Sequence, residues 1–103
     1  MPKHKYYVVG FKGIYGKPNL ELKTNNYEDA VKAMNTYVYH SSLIYNAQTN
    51  QVLFSPNMAT EKFTGLKIKI GQFIDFQWND DKWMSSVTGE LAEFASQWAK
   101  SDN

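Results

Sequence analysis

The chain has 103 residues, 43% of them hydrophobic and 16% aromatic, with a formal net charge of +1 and no cysteine. That length holds one domain around one core and leaves no room for a second, and the missing thiols exclude disulfides, thiolate metal sites and thiol nucleophiles. All 11 cations are lysine, and the absence of arginine's planar fork counts against sequence-specific reading of nucleic acid.

In chain order, Lys5 to Lys12 (KYYVVGFK) is aromatic and β-branched and apolar on both faces, which predicts a central strand. Gly13, Gly16 and Pro18 punctuate a turn, and Leu20 to Thr24 alternates as a second strand. Asn26 is placed to cap a helix, with Glu28 and Asp29 in its first turn complementing the helix dipole. Tyr27, Ala30, Val31, Met34, Tyr37 and Val38 recur at three- and four-residue spacing and give that helix one apolar face, ending near His40.

Leu43–Asn46 and Gln51–Ser55 read as two strands around a polar turn at Ala47–Asn50. Leu66 to Ile70 alternates with Lys67 and Lys69, a half-buried strand with a lysine-lined outer side. Gln72–Trp78 alternates again through Ile74 and Phe76. Asn79–Asp81 is a turn, and Lys82–Val87 a short returning strand. Thr88 then caps a helix whose Leu91, Phe94, Ala95 and Trp98 form one stripe, with Glu90, Glu93 and Gln97 facing water. The expected fold is α+β: a mostly antiparallel sheet of five to seven strands in the order ββαββββ(β)α, with both helices packed on one face. Only the first four or five residues and the last three are expected to fray.

His40-Ser41-Ser42 resembles part of a hydrolytic site. Nucleophilic catalysis, however, needs a base oriented by a third group, and neighbouring side chains on a strand point to opposite faces. The stretch reads instead as the joint between a helix end, where a histidine suits the dipole, and a hairpin. Asp75, Asp80 and Asp81 offer a metal or acid–base cluster, the basis of a further reading as a small metal-dependent enzyme; turn chemistry accounts for the last two. Neither a catalytic residue, a metal ligand nor a cofactor is assigned.

Lysine-flanked tips are the better candidates. Tyr15 sits between glycines with Lys12 and Lys17 nearby, in a glycine-rich turn that lacks the spacing and the following helix of a phosphate loop. Trp83 follows the acidic turn of Asp80 and Asp81, and tryptophan is enriched at interface hot spots. Charge is divided along the chain: residues 1–70 hold nine lysines against four acids, residues 71–103 two against six.

Lys5-Tyr6-Tyr7-Val8-Val9 followed by Gly13-Ile14-Tyr15 is similar to the start of the hybrid-binding domain attached to eukaryotic ribonuclease H, which would imply contacts to an RNA–DNA duplex. The likeness covers about eleven residues and its two halves are spaced differently. Leu20–Thr24 also has no counterpart in that family's small ββα unit, and no family is assigned.

These readings converge on a non-catalytic protein-binding module, a small regulator or inhibitor of a larger host protein as among phage or mobile-element accessory proteins. Its partner-binding set is Tyr15, Lys12, Lys17, Trp83, Asp80 and Asp81. The alternative is a nucleic-acid-binding sheet face built from Tyr7, Tyr15, Lys12, Lys17, Lys67 and Lys69, whose affinity must fall steeply with salt. Homodimer formation across a free sheet edge is a further option. No membrane span is expected, and Tyr6–Phe11 is too short for a signal-peptide core, so a cytoplasmic location is expected.

Overall fold

The aromatic and β-branched run at the start of the chain does form an interior strand. A computed structural model describes residues 3–11, 17–36, 41–59, 69–75 and 86–102. Its elements are β1 (Tyr6–Phe11), β2 (Pro18–Thr24), α1 (Tyr27–Thr36), β3 (Ser42–Asn46), β4 (Gln51–Phe54), β5 (Ile74–Asp75) and α2 (Ser86–Ser101). The strands make one sheet in the order β2-β1-β3-β4-β5, antiparallel throughout. The fold is the α+β arrangement the sequence predicts.

One feature differs. Both helices were expected on one face, but they lie on opposite faces. Tyr6, Val8, Ile44 and Leu53 pack with Ala30 and Met34 of α1, whereas Tyr7, Val9, Leu43, Tyr45, Val52 and Phe54 pack with Leu91, Ala92, Ala95 and Ala99 of α2. Alternation along a strand sends successive side chains to opposite sides, and here both sides are apolar. A single helical layer would have left one of these faces in water. β2 and β3 both run antiparallel to β1, so α1 is the crossover that joins them over one face.

Local chemistry fixes the joints. Asn26 caps α1 as expected: its Oδ1 accepts from the amides of Glu28 (2.9 Å) and Asp29 (3.3 Å). At the other end, the buried Ser42 hydroxyl donates to the Met34 carbonyl at 3.1 Å, and the Ser41 carbonyl accepts from Phe11 N at 2.9 Å. Ser41 and Ser42 are therefore structural, in keeping with the joint expected there; His40 lies outside the described residues. In the β3–β4 turn, Asn46 Oδ1 accepts from Gln48 N (3.0 Å) and Thr49 N (3.3 Å). Asn50 takes the left-handed conformation (φ 55°) that asparagine tolerates.

The described ends of two expected strands take another form. Lys69 and Ile70 lie in a turn closed by Gln72 N donating to the Lys69 carbonyl at 3.1 Å. Gly71 supplies the positive φ (85°) at the third position of that turn. Ile70 is consequently 70% exposed rather than half-buried; residues 66–68 lie outside the described residues. Ser86 and Val87, expected to end a last strand, already belong to α2, so Thr88 is inside the helix rather than its cap. Of the Gln72–Trp78 strand, Ile74 and Asp75 pair with β4, and residues 76–78 are outside the description.

Gly10 is required by a close approach. The register of β1 and β2 shifts between Val8 and Val9, which leaves Glu21 as the extra residue of a bulge. A Cβ on Gly10 would lie 2.9 Å from Glu21 Oε1, 3.0 Å from the Ser41 carbonyl oxygen and 3.1 Å from Ser42 Cβ. Gly10→Ala is expected to destabilise the protein by about 1–3 kcal/mol, as overpacking does. Urea unfolding measures this; an unchanged midpoint would mean that the bulge yields freely.

Candidate functional site

Helix α2 builds the site through what it buries and what it leaves at its margin. Leu91, Ala92, Ala95, Ser96 and Ala99 are buried, an arc of roughly 140° at 100° per residue. Four of these five are small, so the helix axis can approach the rings of Tyr7, Tyr45 and Phe54 on the sheet. The sequence stripe Leu91-Phe94-Ala95-Trp98 is rotated from the observed face. Phe94 is half-buried and Trp98 is 37% exposed. The two aromatics, one helical turn apart, flank a shallow depression completed by Gln97 and Ser101.

Beyond the last turn, one carboxylate gathers side chains from both ends of the chain. Asp102 Oδ2 accepts the Tyr7 hydroxyl at 2.8 Å and lies 3.0 Å from His4 Nδ1, while Asp102 Oδ1 accepts Lys23 Nζ at 3.2 Å. The backbone closes the same junction, with Lys3 N donating to the Asp102 carbonyl at 2.9 Å. An ionised carboxylate only accepts, so the His4 proton sits on Nδ1. An acid just past a helix C-terminus opposes the helix dipole; three donors offset that here. Lys23 Nζ also stands 5.7 Å from the centre of the Trp98 ring, which joins the polar cluster to the aromatic ridge.

Asp102 is held down to a pKa of about 2, first by the His4 and Tyr7 hydrogen bonds and then by Lys23. Tyr7 is pushed up to about 12 by burial and by donating to Asp102. Tyr45 is raised by burial; its hydroxyl donates to Asn50 Oδ1 at 2.7 Å. A histidine oriented by an aspartate is half of a general-base apparatus. Among the described residues no serine, threonine or cysteine side chain bonds His4, and no group of three or more His, Asp or Glu is placed to hold a metal ion. The cluster acts as a clasp: it ties the first residues to the last.

The residues expected from sequence fare differently. Tyr7, a member of the proposed nucleic-acid face, is fully buried and cannot offer its ring to a base. Lys17 is exposed just before β2, and Lys69 is exposed in the turn before β5. These strands are opposite edges of the sheet, about 19 Å apart at ~4.8 Å per strand, so the two lysines do not stand side by side. Asp75 accepts Gln51 Nε2 at 3.1 Å, a cross-strand contact between β5 and β4. Lys12, Tyr15, Lys67, Asp80, Asp81 and Trp83 lie outside the described residues. His4, Lys23 and Asp102 were not anticipated; the contacts of His4, Tyr7 and Lys23 with Asp102 span 79 to 98 residues. The one local signal was an acid at a helix C-terminus, where a base is preferred.

No protein-family model matches the chain, and comparison with curated proteins and with solved structures yields no match. No helix among the described residues is long and apolar enough to cross a membrane.

The folded Asp102 titrates below its ordinary value of 3.8, so its clasp stabilises the fold above that pH and is lost as pH falls through about 2. Asp102→Asn should therefore lower the melting temperature at pH 7, and the gap to wild type should close between about pH 4 and pH 2. Thermal melts across that range test the clasp, which fails if the gap is independent of pH.

Proposed function

We propose that this chain is a non-catalytic protein-binding module, a small regulator or inhibitor that works by docking on a larger protein. One observation carries the reading: α2 turns its alanines to the sheet and leaves Phe94 and Trp98 at the surface beside a shallow depression. A tryptophan is the largest apolar surface a side chain can offer, and partially exposed tryptophans next to polar rims dominate binding energy at interfaces. Here the rim is supplied by Lys23, Gln97 and Ser101. Docking also suits a small chain, because a stable contact needs only about 800 Å² from each partner. The working compartment we assign is the cytoplasm, since nothing in the cysteine-free sequence relies on oxidative stapling.

Immobilised wild-type protein should retain one partner in stoichiometric amount from lysate of its native cell. Trp98→Ala should weaken that complex at least about tenfold, the loss expected for a hot-spot tryptophan. Glu90→Gln, on the same helix, should leave it unchanged. Titration calorimetry with the captured partner measures both variants. Undiminished binding by Trp98→Ala, or no stoichiometric partner at all, would overturn the proposal.

A further inference from the structure

Trp98 does not stand on an isolated helix; it stands over the edge of the sheet. β2 pairs only with β1 among the described residues and is the outermost strand on that side. It is seven residues long, whereas the strand at the other edge, β5, has two. Backbone N–H and C=O groups on the outer side of an edge strand are a template for one more strand. Lys23 fixes the spatial relation, since its ammonium lies 5.7 Å from the Trp98 ring centre.

The charge of this edge follows from which side chains are turned outward. Lys17, at the start of β2, and Lys23, near its end, are exposed, as is Lys3 in the adjoining N-terminal segment. The acids of β2 and of the clasp are withdrawn, and Glu93 on α2, which stays exposed, accepts Gln97 Nε2 at 3.4 Å. Both carboxylate oxygens of Glu21 are buried, with Oε1 against Gly10, and the Asp102 side chain is 9% exposed under His4, Tyr7 and Lys23. Glu28 and Asp29 belong to the first turn of α1, over the other face. What remains outward is cationic at both ends of the strand, next to an aromatic depression.

We propose that the β2 edge accepts an extended, acidic segment of a partner protein as an added antiparallel or parallel strand, with one apolar side chain of that segment resting against Phe94 and Trp98. This rests on the binding-module reading and names its mode and the chemistry of its partner. Main-chain hydrogen bonds supply affinity in such strand addition, and a pocket for an alternate side chain supplies specificity. A second copy of this chain is the poorer occupant, because it brings the same lysine-ended edge and a second bulge at Glu21. Both features discourage an edge from pairing with itself. An acidic strand meets Lys17 and Lys23 with opposite charge.

A random dodecapeptide library selected on the immobilised protein at low salt tests this, with enriched peptides titrated into ¹⁵N-labelled protein. Enriched sequences should be acidic and β-prone with an apolar residue. They should shift the amides of residues 18–24 and the Trp98 indole, and should slow hydrogen exchange along β2. Lys17→Glu, at an exposed residue, should weaken these peptides about fivefold, the range of one exposed ion pair. Lys23→Glu should weaken them as well, its folding checked by melting because it also loosens Asp102. Enrichment of nothing, peptides without acidic bias, shifts away from residues 18–24, or indifference to Lys17→Glu would overturn the proposal. Concentration-dependent dimers in light scattering, with slowed exchange along β2, would assign the edge to a second copy and overturn it too. If the natural partner binds through Trp98 while β2 exchange stays fast, strand addition fails and the binding-module reading stands. If no Trp98-dependent complex exists, that reading fails independently.

Discussion

The structure depends on strands that are apolar on both sides. Tyr6 and Val8 point to one face of β1, Tyr7 and Val9 to the other, and β3 repeats the pattern with Ile44 on one side and Leu43 and Tyr45 on the other. Each fully buried aliphatic or aromatic side chain contributes about 1.5–3 kcal/mol relative to exposure, so neither face can be left wet. Two helical layers are the minimum solution. The chain supplies one as the β2–β3 crossover and the other as its last helix. Because the helices are spent covering faces, the sheet's edges are left to strands, and the longer edge falls to β2.

The second layer divides size unequally between helix and sheet. The bulk comes from Tyr7, Tyr45 and Phe54 on the sheet; the helix answers with alanines. Two of those sheet residues are tyrosines, whose hydroxyls must find partners when their rings are buried. Tyr7 reaches Asp102 at the C-terminal end of α2, and Tyr45 reaches Asn50 in the hairpin turn. The rings thus serve as spacers of fixed length, with polar ends that set where the helix and the hairpin can lie. An alanine face this well matched has no room for an indole. Trp98, about a quarter of a turn from the centre of the buried arc and just outside its Leu91 edge, is left at the margin, which is how a packing solution becomes a surface feature.

Much of the frame was legible in the sequence because it is written locally. Aromatic, β-branched or alternating runs bounded by turn residues indicated β1 to β4, Asn26 with its acidic first turn the start of α1, and the Ala47–Asn50 turn residues the hairpin. The two-faced apolarity of Lys5–Lys12 was legible too, and it already argues for cover on both sides. Placing the helices together ignored that constraint. The rotation of α2 was not legible, since a stripe containing Phe94 and Trp98 is more hydrophobic than one containing Ala92 and Ala99. Only the size of the rings beneath it decides between them. Lys69 and Ile70 alternate like a strand, yet Gly71 makes them a turn. The Asp102 clasp lay furthest from reach: its members carry no motif, and they meet only because β1 and α2 bring the two chain ends together.

The clasp and the β2 edge are linked by electrostatics. A carboxylate at a helix C-terminus is unfavourable with respect to the dipole and is tolerated only when its negative charge is answered by donors. The donors here are drawn from the N-terminal segment, β1 and β2, so satisfying Asp102 also docks the N-terminal residues along the sheet. The same contacts answer the charge of Asp102, while Glu21 is folded inward over Gly10 and exposed Glu93 is bonded to Gln97. A chain with nearly balanced total charge thereby acquires a local surplus of cations, at the one long strand edge and beside the one tryptophan the described structure exposes. Net charge, +1 over the whole chain, conceals this; the direction in which individual carboxylates point creates it.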